Sequence, residues 1–89
     1  MRKKTQEDFE HTIVKVLNAE RIDDKNRIDL RIVKWKTAKV RTIEKRRIWE
    51  TEGKEVFRKM VGLNADDINF IVEHRDEILA LLKEEPTNV

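Results

Sequence analysis

Two tryptophans, Trp35 and Trp49, stand in or at the end of a stretch that carries eight cations against one acid. The cations are Arg31, Lys34, Lys36, Lys39, Arg41, Lys45, Arg46 and Arg47, and the acid is Glu44. Cationic side chains neutralise phosphates, and flat indole rings cover unstacked bases. A rigid face holding both is what single-stranded nucleic acid requires, whereas a duplex offers no exposed base faces. One isolated tryptophan is more often a core anchor, and a run of cations is more often a solvated face. Parity favours the binding reading: Trp35 shares an ideal strand face with Arg31, and Trp49 shares one with Lys45 and Arg47. A β-bulge in either strand would reverse that inference.

Other chemistries find little support. Cysteine, serine and tyrosine are absent from all 89 residues, which removes disulfides, thiolate metal sites and the commonest nucleophiles. His11 and His74 do not form a ligand pair by spacing, and Asp23, Asp24 and Asp29 lack the spacing of a calcium loop. The only glycines, Gly53 and Gly62, make no phosphate-cradling loop. Neither catalysis, nor a metal, nor a cofactor is expected. No apolar run is long enough to span a bilayer and the start is polar, so a soluble, unexported, cytoplasmic protein without membrane contact is expected.

The net charge of +2 conceals a division along the chain. Residues 1–60 hold 18 Lys and Arg against 11 Asp and Glu, and residues 61–89 hold 2 against 7. The basic part is the natural partner of a polyanion.

The elements that must position these residues form one small domain, 12–84, between a polar arm, 1–11, and a tail, 85–89. Strands are expected at about 12–20, 27–36, 39–50 and 55–62. The first is β-branched, and in the second Ile28, Leu30 and Ile32 alternate with charged residues. Asp23 to Asn26 and Glu52-Gly53 supply the turns. Arg41, Ile43, Lys45, Arg47 and Trp49 make one mostly cationic face of the third strand. Asn64 as N-cap, with Asp66 and Asp67 in the first turn, starts one helix expected over about 65–84. Ile68, Ile71, Val72, Ile78, Leu79 and Leu82 recur along it at helical spacing. Phe70 and Leu81 fall outside the narrowest apolar stripe, so a second copy is expected to dock on the helix through Phe70, Ile71, Ile78, Leu81 and Leu82.

Several strings carry a resemblance. Leu30-Arg31-Ile32-Val33-Lys34-Trp35 resembles a Leu-x-Leu-Val-x-Trp string, and Arg47-Ile48-Trp49 resembles the end of an Ile-Arg-x-Trp strand. Lys59-Met60-Val61-Gly62-Leu63-Asn64 resembles the Lys-Gly-Ile-Ser-Leu-Asn string that leads into a C-terminal helix. In this order they are similar to the positive cofactor four family of transcriptional coactivators and its bacterial and phage relatives, over roughly residues 12–82. The family glycine is Met60 here, and the serine-rich regulatory region of eukaryotic members is missing. These departures favour a bacterial or phage member.

The resemblance implies an α+β fold, a curved four-stranded antiparallel sheet followed by one helix, and a homodimer. It also implies sequence-tolerant binding of single-stranded DNA. Trp35, Arg47, Trp49 and Lys59 match family positions, and the remaining cations are assigned on charge and spacing alone. The expected function is a non-enzymatic holder of single strands in transcription regulation, replication or recombination. One alternative is a duplex or RNA binder using the basic hairpin. Another is an adaptor whose acidic helix recruits a polymerase or recombination protein.

Overall fold

A computed structural model describes residues 10–83. Most of the N-terminal arm, the last expected helical residue and the tail lie outside them. Four strands, β1 (His11–Arg21), β2 (Asn26–Trp35), β3 (Thr42–Thr51) and β4 (Lys54–Met60), form one antiparallel sheet in the order β1-β2-β3-β4. The α+β meander expected from the sequence is therefore present. The sheet is not strongly curled, which falls short of the curvature the resemblance implies.

The turns follow from local chemistry. Asp23 Oδ1 accepts from the backbone amides of Lys25 and Asn26, each at 2.8 Å, and closes the β1–β2 turn. β3 and β4 are joined by Glu52 (φ 48°) and Gly53 (φ 75°), two left-handed residues as a tight hairpin with the twist of its strands requires. Glycine takes that conformation freely, but glutamate bears a steric cost.

Cross-strand register sorts the side chains, because residues opposite each other point to the same face. Arg27↔Ile48, Asp29↔Arg46 and Arg31↔Glu44 share a first face, which also takes Val33 and Trp35. Asn26↔Trp49, Ile28↔Arg47, Leu30↔Lys45 and Ile32↔Ile43 share the second. β1 is bulged twice, at Val14 and Leu17, and these two are among its few half-buried residues.

One C-terminal helix was expected, and among the described residues two are found there: α1 (Ala65–Glu73) and α2 (Arg75–Lys83), with His74 between them. The break at His74 is slight, since its φ of −111° and ψ of 23° depart from helical values while its N–H still reaches the Phe70 carbonyl. The expected start holds. Asn64 accepts from the Asp67 amide and Asp67 accepts from the Asn64 amide, so two otherwise orphaned donors are satisfied.

The helices lie over one end of the second face. Lys45 Nζ donates to Asp67 Oδ2 at 2.6 Å, Lys15 pairs with Glu77, and Arg41 Nη1 donates to the Leu81 carbonyl at 2.8 Å, near the negative end of α2. Among the described residues the buried apolar ones are Leu30, Ile32, Val33, Ile48 and Ile78, of which Ile78 comes from a helix. No described helix is long and apolar enough to cross a membrane.

Candidate nucleic-acid interface

The basic residues of the sheet fall into two arrangements. On the first face every charge is matched. The buried Arg31 guanidinium donates through Nε to Glu44 Oε2 at 3.0 Å, and Arg46 Nε reaches the same oxygen at 2.8 Å. Trp35 Nε1 donates to Glu44 Oε1 at 3.2 Å, so its indole is turned inward. Arg27 binds Asp29 at 2.9 Å, Glu50 at 2.7 Å and Glu55 at 2.9 Å. The rings of His11, Trp35 and Phe57 lie over this network with centroids 4.3 to 5.5 Å apart. The Arg46 guanidinium sits 5.3 Å from both the Trp35 and the Phe57 centroids.

The protonation equilibria follow these contacts. Burial pushes the Glu44 carboxyl up, but the bonds from Arg46 and Arg31 outweigh it and hold the group below the usual carboxylate range. Bonds to Glu55 and Asp29 hold Arg27 more firmly protonated than a free guanidinium. Buried Asp29 Oδ2 alone has no hydrogen-bond partner among the described residues.

The open end of the second face is arranged differently. Asn26, Arg47, Trp49, Arg58 and Lys59 line a concavity of about 450 Å³. A second, of about 470 Å³, shares Asn26 and Trp49 and is closed by Asp23, Asp24 and Lys25. Arg47 and Lys59 make no hydrogen bond or ion pair among the described residues. The Arg58 guanidinium lies 5.7 Å from the Trp49 ring centroid. A bulge explains how three cations converge. Met60 pairs with Arg46 and Phe57 with Ile48, so Arg58 and Lys59 together stand opposite the single residue Arg47. At this bulge Arg46 Nη1 donates to the Arg58 carbonyl at 2.6 Å.

Among the ten residues expected to bind nucleic acid, the structure brings together Arg47, Trp49 and Lys59. The other seven are placed elsewhere. Arg31 is buried on the first face and bonded to Glu44. Trp35 points to that same face, away from Trp49. Lys45 is spent on Asp67, a carboxyl that burial raises but that Lys45 and the Asn64 amide hold below its usual value. Arg41 holds the end of α2, and Lys36 pairs with Glu10 at 3.4 Å. Lys34 donates to the Trp35 and Ala38 carbonyls at the end of β2, and exposed Lys39 lies in the following turn because β3 begins three residues later than expected.

Sequence reasoning missed Asn26 and Arg58. Asn26 read as a turn residue, and its cross-strand pairing with Trp49 appears only in the register. Arg58 shares the Trp49 face through the pairing of Val56 with Trp49, a register the sequence does not record, and the bulge then adds Lys59. Of the residues expected at a dimer contact, Ile78 is buried within the chain, whereas Phe70, Ile71, Leu81 and Leu82 are half-buried. The most exposed apolar side chains of the helices are instead Ile68 and Val72. No group of His, Asp and Glu suited to a metal ion occurs among the described residues.

No family model, no curated protein and no solved structure matches the chain.

Proposed function

We propose that the protein is a non-enzymatic binder of single-stranded DNA, and that the second face around Trp49 is its interface. One observation carries this reading: an indole on an open sheet face with three cations around it, two of them unpaired. An unpaired cation is free to neutralise phosphate without first losing a protein partner. A base stacked on an aromatic ring contributes roughly 1–3 kcal/mol regardless of its identity, so binding through Trp49 tolerates sequence. The resemblance to the positive cofactor four family points the same way, toward holding melted DNA in transcription regulation, replication or recombination.

The same reading includes a homodimer, with polymerase or recombination proteins as further partners. Ile43, Ile71, Val72, Ile78, Leu79 and Leu82 line an apolar cleft of about 280 Å³ beside Arg75. With Ile68 and Val72 exposed next to it, a second copy laid along the helices removes apolar surface from water. Light scattering of the purified protein should give twice the chain mass, and Val72→Glu should return it to one.

The interface is tested by titrating a fluorescein-labelled mixed-sequence strand, alone and as a duplex, at low and high salt. The expected result is a single-strand preference whose affinity falls with salt at a log–log slope of about −0.7 per phosphate contact. Equal binding of both forms would favour a duplex-groove or structured-RNA reader. No binding to either would favour the adaptor.

A further inference from the structure

We propose that Asn26 gives the Trp49 site a preference for bases that present an exocyclic amino group, cytosine above thymine or uracil. The inference rests on the single-strand reading and adds a selectivity to it.

Asn26 pairs directly across the strands with Trp49, so the two side chains stand side by side on the second face. It borders both concavities that Trp49 lines. A base stacked on Trp49 therefore brings an edge to Asn26.

The amide of Asn26 is oriented by its neighbours. Its Nδ2 donates to Asp23 Oδ1 at 3.0 Å and to Asp23 Oδ2 at 3.1 Å. A carboxylate accepts and does not donate, so this contact puts the amide nitrogen toward Asp23 and leaves Oδ1 on the other side. That oxygen accepts no hydrogen bond from the described residues. Asp23 is held ionised by the amides of Lys25 and Asn26, which lower its carboxyl from the usual value and keep the arrangement in force at neutral pH.

A fixed, unused acceptor beside a stacking platform discriminates among base edges. The 4-amino group of cytosine donates to it, and the amino groups of adenine and guanine do the same. Thymine and uracil present at that position a carbonyl, which repels an acceptor, and their one edge donor, N3–H, is reached only if the base shifts in its stack. Lys25 borders one of the two concavities, and Arg47, Arg58 and Lys59 the other. Their charges end long stems with several rotatable bonds, suited to following phosphates rather than to holding one base edge. Selectivity therefore falls to the short, anchored amide.

The test uses the wild-type chain and three oligonucleotides of about 12 nucleotides, oligo(dC), oligo(dU) and oligo(N4,N4-dimethyl-dC), at a pH slightly above neutral so that cytosine stays unprotonated. The three share ring, sugar and phosphate and differ at the base edge. One neutral hydrogen bond corresponds to about fivefold in affinity, so oligo(dC) should bind about fivefold more tightly than the other two. Asn26→Ala, with its fold checked by thermal melting, should abolish the difference. Equal affinity for oligo(dC) and oligo(dU), or oligo(dimethyl-dC) binding as well as oligo(dC), would overturn the selectivity and leave the single-strand reading standing. Failure to bind any of them would overturn both.

Discussion

The two faces of the sheet use the same residue types for opposite ends. On the first, Arg27, Arg31 and Arg46 meet Asp29, Glu44, Glu50 and Glu55, and Trp35 hands its indole N–H to Glu44. On the second, Arg47, Arg58 and Lys59 surround Trp49, and none of the three makes an ion pair among the described residues. The first face satisfies its charges internally because Asp29, Arg31 and Glu44 are buried there, and a guanidinium removed from water without a partner is costly. The second is covered by helices only at the Lys45 end, and its other end stays in water. Paired cations belong to the structure. Unpaired ones are available to a polyanion.

The largest effect that sharpens this contrast is expected from Glu44→Ala. It leaves Arg31 buried without its carboxylate and also removes a partner of Arg46 and Trp35, so it should cost about 3–5 kcal/mol, read from the urea midpoint. A loss under about 1 kcal/mol would break the picture of a self-satisfied first face. The two tryptophans should then divide cleanly. Trp49→Ala is expected to lower single-strand affinity by about 1–3 kcal/mol, roughly 5- to 150-fold, while the protein stays folded. Trp35→Ala should lower the melting temperature and leave the affinity of the folded fraction unchanged. The reverse pattern would exchange the roles of the faces.

Removing cations one at a time should have smaller effects. Arg47→Ala, Arg58→Ala or Lys59→Ala should each reduce the steepness of the salt dependence by about 0.7, whereas Lys36→Ala should not change it. Acid is expected to act on the paired charges. The Glu44, Glu55 and Asp67 carboxyls titrate below their usual values of 4.5, 4.5 and 3.8 in the folded chain. The unfolded chain therefore binds more protons as pH falls, so their stabilisation is complete above about pH 5 and is lost as pH drops through the lowered folded values. Urea midpoints should be level from neutrality to about pH 5 and decline below it. The smallest effect concerns the hairpin that sets the β3–β4 register. Glu52→Asn, which tolerates the φ of 48° better, should raise stability by a few tenths of a kcal/mol, about 0.5, without altering affinity.

What the sequence made legible was local chemistry and period. The alternation Ile28-Leu30-Ile32, the Asp23 turn, the positive φ at Gly53 and the Asn64 cap each depend on neighbours a few residues away, and the structure has all of them. The third-strand face was legible for the same reason from Ile43 through Lys45 and Arg47 to Trp49, but Arg41, expected on it, falls before β3 begins. Which cations are free was not. Arg31 and Glu44 lie thirteen residues apart in sequence, Lys45 and Asp67 twenty-two, and Arg41 and Leu81 forty. Such pairings are decided by register and by which face the helices cover, and no local pattern records them. The break at His74 left no mark in a stripe that continues through Ile71 and Ile78 at helical spacing. The β4 bulge was equally silent, and without it Lys59 would not stand beside Arg58 on the Trp49 face.

The central claim is that the face carrying Trp49 meets the single strand and the face carrying Trp35 does not. Proton–nitrogen correlation spectra of the wild-type protein test it directly, because each tryptophan gives one indole signal and Trp49→Phe assigns them. On titration with a short mixed-sequence strand, the Trp49 indole signal should shift to saturation while the Trp35 signal, held on Glu44, stays in place. A shift of Trp35 with Trp49 unmoved, or no shift of either, would contradict the account.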